Sequence, residues 1–148
     1  MKITYIHHSC FLAELNSLYL LFDYIGGSLP TLSPDKDLLV LVSHRHQDHF
    51  SPVIWDLVGQ YPQVRYILSD DIWQNRVPEK HFCRTEYIDP DTTLTLTEGG
   101  GTRITAFHST DEGVAFLVEN NGHSLYHAGD LNNWKWSGES KAWNNNIN

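Results

Sequence analysis

The segment DLLVLVSHRHQDHF, residues 37–50, constrains the fold of this chain most strongly, because an apolar run ends directly in a cluster of polar side chains. Residues 37–43 are a short, continuous apolar stretch bounded by turn residues, and such a stretch predicts a strand buried on both faces. The four potential metal ligands that follow it are His44, His46, Asp48 and His49. The sequence therefore predicts a buried strand whose carboxyl end carries a polar site.

A helix and a second strand are predicted immediately after this cluster. Ser51 is a good N-cap and Pro52 suits the first helical position, and apolar residues then recur at helical spacing as far as Gly59. The stretch VRYIL, residues 64–68, is typical of a strand. This strand–helix–strand unit places the cluster at the carboxyl end of the first strand, where open α/β sheets commonly bind ligands.

The remaining segments are rich in β-forming residues. Residues 2–24 predict a hairpin that turns at Asn16 and Ser17, and the second half consists of short β-rich runs separated by turn residues, with a hairpin at Asn121 and Gly122. No internal repeat or low-complexity linker is evident in the sequence. We therefore expect one α/β domain over residues 1–148, with sheets packed on each other or covered by helices.

Composition and charge argue against several classes of partner. The net charge is −8, with no run of lysine or arginine, which disfavours binding to nucleic acid. No stretch approaches the roughly 18 apolar residues of a membrane span, and the amino terminus does not resemble a secretion signal. The two cysteines, Cys10 and Cys83, are therefore expected to be free thiols. We expect a cytoplasmic protein with a small-molecule substrate.

The ligand types in the cluster indicate which metals it would bind. His44 and His46 lie two apart in an extended loop, so their side chains can point the same way and reach one cation. Imidazole and carboxylate together favour zinc, with manganese and iron as alternatives, over calcium or magnesium. Structural zinc sites usually use cysteine, and no cysteine is nearby, so the pattern favours a catalytic metal. The alternative, histidines that are structural and bind no metal, is disfavoured by their clustering.

The motif SHRHQDH, residues 43–49, resembles the His-x-His-x-Asp-His signature of the metallo-β-lactamase superfamily. The later residues keep that superfamily's order, with His108 before a small-residue strand in FHSTDEGVAFLVE and Asp130 after a strand in LYHAGD. The stretches HHSCFLAE and YHAGD resemble the cytoplasmic metal-dependent hydrolase branch. The resemblance implies an α/β fold of the αββα sandwich type.

The same resemblance implies a two-metal site. It assigns His44, His46 and His108 to the first metal, and Asp48 and His49 to the second. Asp130 would bridge both metals. A metal-bound hydroxide would attack an ester, amide or phosphoester, and Asp48 would also act as a catalytic residue by orienting that hydroxide. The superfamily hosts several chemistries, so the resemblance does not identify the substrate.

The sequence departs from the superfamily pattern after Asp130. The family's last ligand is a histidine well beyond the bridging aspartate, but the 18 residues LNNWKWSGESKAWNNNIN contain no histidine. We therefore expect a sandwich that is incomplete at its C-terminal end, with one tight and one weak metal site. The alternative to a hydrolase is a truncated domain that binds metal but is catalytically silent. Uncovered apolar surface would also favour a homo-oligomer.

Several residues keep two interpretations. His8 either contributes to the site or is a plain strand-end residue, and Asp23 either orients a ligand histidine or caps a strand. His127 is expected to support the site or to pack rather than to bind metal. We expect His81 and His123 to be solvent-exposed and outside the site. Three tryptophans either line a pocket or, as we prefer, bury core surface: Trp134, Trp136 and Trp143.

Overall fold

The structure is a computed structural model that describes residues 1–132, 137–138 and 140–141, so the three tryptophans named above lie outside the described residues. The strands of the described residues form two sheets. The first sheet contains β1 (Lys2–His7), β2 (Cys10–Glu14), β3 (Leu18–Phe22), β4 (Asp37–Val42), β5 (Val64–Ser69) and β6 (Thr85–Ile88). The second contains β7 (Thr93–Leu96), β8 (Thr102–His108), β9 (Val114–Asn120) and β10 (His123–His127).

The first sheet follows chain order from β1 to β6 and changes from antiparallel to parallel pairing at β3. The predicted turn at Asn16 and Ser17 joins β2 to β3 as an antiparallel hairpin, and a further antiparallel strand, β1, precedes it. The predicted strand–helix–strand unit is also confirmed, because β4 and β5 are parallel and a helix connects them. Parallel pairing of β3, β4 and β5 places their carboxyl ends at the same edge of the sheet.

The second sheet is antiparallel in the order β10, β9, β8, β7. The hairpin predicted at Asn121 and Gly122 connects β9 to β10, and both residues have positive φ angles, 46° and 78°. Asparagine followed by glycine adopts this left-handed backbone readily, and the resulting turn matches the twist of the paired strands. The hairpin carries the chain back to the site edge, where Asp130 follows β10.

The helical segments within residues 1–132 are short 3₁₀ helices: Pro52–Gly59, Gln74–Arg76, Glu79–Arg84 and Glu98–Gly100. The first begins as predicted, because the Ser51 side chain accepts a hydrogen bond from the Val53 amide and Pro52 occupies the first turn. No helix among the described residues is long and apolar enough to cross a membrane.

Two apolar layers explain why β4 is a continuous apolar run. Leu39 and Leu41 face the layer between the two sheets, where they pack with residues of β8 and β9 such as Ile104 and Phe116. The intervening residues of β4, Leu38, Val40 and Val42, belong to the other apolar layer. They share it with Trp55 of the first 3₁₀ helix and Tyr66 of β5. The strand is therefore buried on both faces, as predicted.

The outer face of the second sheet has no covering layer within the described residues. Phe107 and Tyr126 are exposed on this face, and their rings lie 6.3 Å apart between centroids. The neighbouring positions Ala106 and Leu125 point instead toward the layer between the sheets. The described residues thus supply both central sheets of the expected sandwich and one outer layer.

His81 corrects one expectation. It was predicted to be solvent-exposed, but only 4% of the residue is accessible. The 3₁₀ helix Glu79–Arg84 turns its ring inward, where it stacks on Trp55 with 5.2 Å between ring centroids. The prediction failed because the polar neighbours of His81 in sequence do not report which side of a short helix faces the core. His123 is half-buried rather than fully exposed.

Candidate metal centre

The loop after β4 folds back on itself and brings its histidines together. The carbonyl of His46 accepts hydrogen bonds from the amides of His49, at 3.0 Å, and Phe50, at 2.7 Å. Phe50 is buried in the apolar layer and anchors this turn. The ring of His44 consequently lies 4.0 Å from that of His49 and 4.6 Å from that of His46, measured between ring centroids.

The imidazoles of His44 and His49 are fully buried, and each has one ring nitrogen without a hydrogen-bond partner. The unpartnered atom is Nε2 in both residues. A buried polar atom that makes no hydrogen bond costs about 1–3 kcal/mol, so its presence needs an explanation. Both Nε2 atoms face the carboxylate of Asp130. A cation bound between these groups would use the lone pairs that the protein leaves unused.

Asp130 presents one oxygen to each buried histidine. Its Oδ1 lies 3.1 Å from Nε2 of His49, and its Oδ2 lies 3.7 Å from Nε2 of His44. The residue follows β10 and the turn at Gly129, so it reaches the site from the second sheet. This arrangement is compatible with the bridging role that the resemblance implies for Asp130.

Asp23 is the buried acceptor that orients these histidines. It follows β3, and its carboxylate accepts hydrogen bonds from the Ser43 amide and hydroxyl, from Nδ1 of His49 at 2.8 Å and from Nε2 of His127 at 2.7 Å. Nδ1 of His44 in turn lies 3.0 Å from the Ser43 hydroxyl, which already donates to Asp23. Because of these hydrogen bonds, His44 and His49 both carry a proton on Nδ1. Their Nε2 lone pairs are therefore available for a metal.

Two glycines allow the second sheet to approach the histidine loop. A β-carbon on Gly113 would lie 2.1 Å from the carbonyl oxygen of Ser43 and 2.6 Å from Cβ of His44. A β-carbon on Gly129 would lie 2.9 Å from Cβ of Ser43. Both glycines also have positive φ angles, 69° and 56°. These close contacts bring the segments that carry Asp111 and Asp130 up to the site.

His46 contacts two carboxylates of the turn between β8 and β9. Its Nδ1 lies 3.3 Å from Oδ2 of Asp111, and its Nε2 lies 3.3 Å from Oε2 of Glu112. Glu112 also accepts two hydrogen bonds of 2.6 Å from the Arg45 guanidinium. Residues 45 and 46 are therefore held against this turn by charged side chains. Asp111 cannot be identified from the sequence alone, because only its position in space connects it with the motif.

His8 and Asp48 form the outer rim of the site. Nε2 of His8 lies 3.2 Å from Oδ2 of Asp48, and the His8 ring contacts the edge of the His49 ring. Both side chains are about half exposed. His8 has a positive φ of 48° in the tight turn between β1 and β2. Positive φ is uncommon for residues other than glycine, although histidine adopts it more readily than most.

The charged surroundings change the pKa values of several site residues. Burial lowers the pKa of His44, and the neighbouring His49 lowers it further, so His44 is neutral and able to bind metal at neutral pH. Burial also opposes ionisation of Asp23, but hydrogen bonds from His127 and His49 outweigh it and hold the pKa of Asp23 below its usual value. For His49, burial is outweighed by the hydrogen bond to Asp23, and the pKa rises. A cation would therefore compete with a proton for His49.

The structure brings together most of the residues predicted from the sequence. His44, His46, Asp48, His49 and Asp130 all belong to groups of three side chains whose ligand atoms lie within 4.8 Å of one another. The groups are His44, His46 and Asp111; His44, His49 and Asp130; and His8, Asp48 and His49. Histidine nitrogens combined with one or two carboxylates are the donors expected for zinc, manganese or iron, so the described residues fit a divalent transition metal.

His108 is the predicted ligand that the structure does not bring to these groups. Its side chain is 62% exposed, and its Nε2 lies 3.2 Å from Oδ2 of Asp91 in the turn before β7. The residue is the last of β8, where the ring can turn toward this neighbouring carboxylate. The assignment of His108 as a metal ligand stays a prediction from the resemblance.

Comparison with known proteins identifies relatives over most of the chain. Residues 2–142 match the family described as the beta-lactamase superfamily domain. A UPF0173 metal-dependent hydrolase of Methanosarcina barkeri is 30% identical over 144 residues, which cover 88% of this chain and 61% of the relative. A protein of the same description from Opitutus terrae is 33% identical, with 88% and 63% covered. The chain thus spans about three-fifths of the length of the curated relatives it matches.

Solved structures share the fold at lower sequence identity. A metallo hydrolase from Ignicoccus hospitalis superposes with a TM-score of 0.67 at 21% identity, over 87% of this chain and 60% of the other. A diiron β-hydroxylase from Streptomyces venezuelae superposes with a TM-score of 0.59 at 19% identity, over 90% of this chain and 30% of the other. These likenesses agree with the arrangement of sheets described above. The fold and the family match together show that this chain belongs to the metallo-β-lactamase superfamily.

Proposed function

We propose that this chain is a metal-dependent hydrolase whose site is formed by the loop after β4 and by Asp130. The observation that carries the proposal is the pair of buried, unpartnered Nε2 atoms of His44 and His49, which face the two oxygens of Asp130. Relatives that match 88% of the chain are named metal-dependent hydrolases. Their name supports a hydrolytic reaction but specifies no substrate.

Zinc is the cation we propose, with manganese and iron as alternatives. His44 and His49 would supply neutral imidazole nitrogens, and Asp130 would supply a carboxylate. A bound divalent cation would provide an activated water and an electrophilic centre at neutral pH. The protein's own contribution is to orient the rings through Asp23, so that no rearrangement of the histidines is needed on binding.

Asp48 is the catalytic residue we propose. Its carboxylate lies at the open rim of the site and is about half exposed, so it can contact a substrate or an attacking water. Burial alone would raise the pKa of Asp48, but a backbone hydrogen bond and the neighbouring histidines together outweigh it and lower the pKa. Asp48 is therefore ionised at neutral pH and can accept a hydrogen bond from the attacking water, which it would orient.

A small ester, amide or phosphoester with an apolar portion is the substrate class we propose. A cavity of about 410 Å³ opens beside the rim, lined by His8 and His127 and by apolar side chains that include Phe11, Phe22 and Leu125. This volume is in the range of small-molecule sites. The net charge of −8 disfavours nucleic acid as the substrate. We propose a cytoplasmic location, because the stretches HHSCFLAE and YHAGD resemble the cytoplasmic metal-dependent hydrolase branch.

Hydrolysis by the metal-loaded chain tests this proposal. The purified protein would be stripped with a chelator, reloaded with zinc, manganese or iron, and assayed on p-nitrophenyl esters and a p-nitrophenyl phosphodiester. We expect turnover that requires the added metal and is lost in His49→Ala and Asp130→Asn. Asp35→Asn, an exposed position with the same charge change, is the matched control. Equal turnover in the stripped protein and in these variants would contradict the proposal.

A metal-binding but catalytically silent chain is the second candidate. The observation that favours it is the position of His108, which the resemblance assigns to the first metal but whose largely exposed ring pairs with Asp91. This candidate predicts tight, stoichiometric zinc binding without turnover of any substrate in the panel. Metal-dependent turnover that His49→Ala abolishes would exclude it.

A further inference from the structure

We propose that Thr110 is a positioning residue that holds Asp130 at the metal centre. The inference rests on the site of the proposed function, in which the Asp130 carboxylate faces His44 and His49. It concerns how tightly the chain binds a metal, so it requires neither a particular substrate nor turnover. Thr110 would act through the placement of Asp130 rather than by contact with the metal.

Thr110 and Asp130 leave the second sheet at the same edge. β8 and β10 are both antiparallel to β9, so they run in the same direction and end on either side of the start of β9. Thr110 follows β8, and Asp130 follows β10. A side chain at this edge can therefore connect the two segments across the strand that separates them.

The Thr110 hydroxyl makes this connection with two hydrogen bonds. Its Oγ1 accepts a 2.7 Å hydrogen bond from the Asn132 amide and donates one of 3.4 Å to the Asp130 carbonyl. A backbone hydrogen bond of 3.1 Å, from the Leu131 amide to the Ala128 carbonyl, closes the same turn. The turn that carries the Asp130 carboxylate is therefore tied to Thr110.

Thr110 is itself held in the frame of the histidine loop. Only 1% of the residue is accessible. The turn that contains it ends where the Val114 amide donates a 2.8 Å hydrogen bond to the carbonyl of Ser43, the residue before His44. A threonine hydroxyl can donate one hydrogen bond and accept another, whereas the similarly shaped valine can do neither. The hydroxyl thus links the Asp130 turn to the segment that carries the ligand histidines.

The Asp130 carboxylate depends on this turn for its place at the metal centre. Its Oδ1 lies 3.1 Å from Nε2 of His49, its Oδ2 lies 3.7 Å from Nε2 of His44, and the side chain is 31% exposed. Distances between a metal and its ligands hold to within about 0.2 Å. A turn that is free to move would present the carboxylate at the required distance for only part of the time, and zinc binding would weaken.

Thr102 offers a matched control at the other end of β8. It is also 1% accessible, and its hydroxyl donates a 2.7 Å hydrogen bond to the Glu98 carbonyl and accepts one of 3.0 Å from Nδ2 of Asn120. Thr102→Val therefore removes a buried hydroxyl that both donates and accepts, but far along the strand from the histidine loop. It measures the general effect of such a loss on the fold.

Zinc affinities of the threonine variants test the proposal. Chelator-competition titrations would compare the metal-free parent chain with Thr110→Val, Thr110→Ser and Thr102→Val, and urea denaturation would measure their stability. We expect Thr110→Val to bind zinc at least about 10-fold more weakly, as removal of a supporting hydrogen bond does in other metal sites. We expect Thr110→Ser, which keeps the hydroxyl, and Thr102→Val to bind within about threefold of the parent. Parent-like affinity in Thr110→Val, or an equal loss in Thr102→Val, would overturn the proposal.

A cycle of variants with Asp130→Ala separates positioning from a general loss of structure. If Thr110 acts through Asp130, Thr110→Val should change zinc affinity by less than about threefold once the carboxylate is absent. Effects of the two substitutions that multiply, as those of independent sites do, would overturn the proposal. Parent-like zinc affinity in Asp130→Ala would do so as well, because Thr110 would then have no ligand to position.

A further variant keeps the test valid if Thr110→Val does not fold. Asn132→Pro removes the amide hydrogen that Thr110 accepts, at an exposed position, and leaves the buried threonine in place. We expect its zinc affinity to fall by more than about threefold, and parent-like affinity would contradict the proposal. A parent chain that binds no zinc would overturn the proposed function and this inference with it. Tight binding that the Thr110 and Asn132 variants leave unchanged would overturn this inference alone.

Discussion

Nδ1 of His49 donates a 2.8 Å hydrogen bond to Asp23, although the two residues lie 26 positions apart and follow different strands. The parallel pairing of β3 with β4 brings the ends of these strands together and makes the contact available. The hydrogen bond places the His49 proton on Nδ1 and leaves Nε2 as the atom that faces Asp130. Carboxylate groups commonly orient metal-binding histidines in this way.

Replacement of Asp23 by asparagine is expected to weaken both the fold and the metal site. The Ser43, His49 and His127 donors would lose a charged acceptor, and one asparagine amide hydrogen would face a donor instead. We expect the free energy of unfolding to fall by about 1–3 kcal/mol and zinc affinity to fall by about 10- to 100-fold. Urea denaturation of the metal-free protein and calorimetric titration with zinc measure the two effects. Unchanged zinc affinity would show that Asp23 does not orient the ligands.

Replacement of Gly113 by alanine is expected to disrupt the junction between the sheets. The new β-carbon would lie 2.1 Å from the Ser43 carbonyl oxygen, and that oxygen cannot move without disturbing His44. We expect a loss of about 3 kcal/mol or more in the free energy of unfolding, from the clash and the positive φ together.

Gly100→Ala is the matched control for this experiment. Gly100 has a positive φ of 79°, but nothing would lie within 4 Å of its β-carbon. Its substitution should therefore show the backbone cost alone, about 1–2 kcal/mol. Equal losses for the two variants, measured by urea denaturation, would contradict the role of Gly113 in the close approach.

Unequal affinity of the two metal positions is expected from their surroundings. The buried groups around His44 offer atoms that the protein has already oriented, whereas His8 and Asp48 are half exposed and pair with each other. Calorimetric titration of the metal-free chain with zinc should therefore show one strong step, with a second step weak or absent.

His8→Ala is expected to act on the weak step alone. Its Nε2 belongs to the group that contains Asp48 and His49 and to neither group that contains His44. The strong step should therefore keep its affinity, and any weak step should disappear. Two equally tight ions in the parent chain, both unaffected by His8→Ala, would mean that the second position has another ligand.

Self-association is expected because apolar side chains are exposed on the outer face of the second sheet. Tyr126 is 54% exposed and Phe107 39% exposed, and their rings are adjacent. We expect a dimer or larger assembly by light scattering, and a shift toward monomer in the double variant Phe107→Ser and Tyr126→Ser. Tyr87→Ser, which removes a ring that is 37% exposed on the first sheet, should not change the oligomeric state. A parent chain that is monomeric at all concentrations would rule out the association.

The reactivity of the two cysteines should differ with pH. Burial, reinforced by the charge of Asp23, raises the pKa of Cys10 to about 12, whereas Cys83 is exposed. Because the thiolate is the reactive form, alkylation of the folded chain at pH 8–9 should modify Cys83 and spare Cys10. The folded state favours the neutral Cys10 thiol, so this thiol's contribution to stability is complete below about pH 9 and is lost as pH rises toward 12. Mass spectrometry of the alkylated chain checks the reactivity, and rapid modification of Cys10 at pH 8 would contradict its burial.

The central strand and the local part of the site could be predicted from the sequence. The apolar run 37–43 specifies a strand buried on both faces, and the parallel βαβ connection places the following loop at the sheet edge. His44, His46, Asp48 and His49 are neighbours in sequence, so a single turn is enough to bring them together. Such features depend on short-range geometry, which residue types and their spacing largely determine.

Contacts between distant segments were decided by the tertiary structure. Asp23 keeps two interpretations in the sequence, and becomes the acceptor for His49 and His127 only when strands from both sheets meet. Asp111 carries no motif, and the attachment of its turn to Ser43 and Arg45 brings it to the site. His108, in contrast, matches the family order, while its ring lies beside Asp91. Sequence order cannot specify where these side chains point, because that depends on how closely the two sheets pack and on which carboxylate lies beside each side chain.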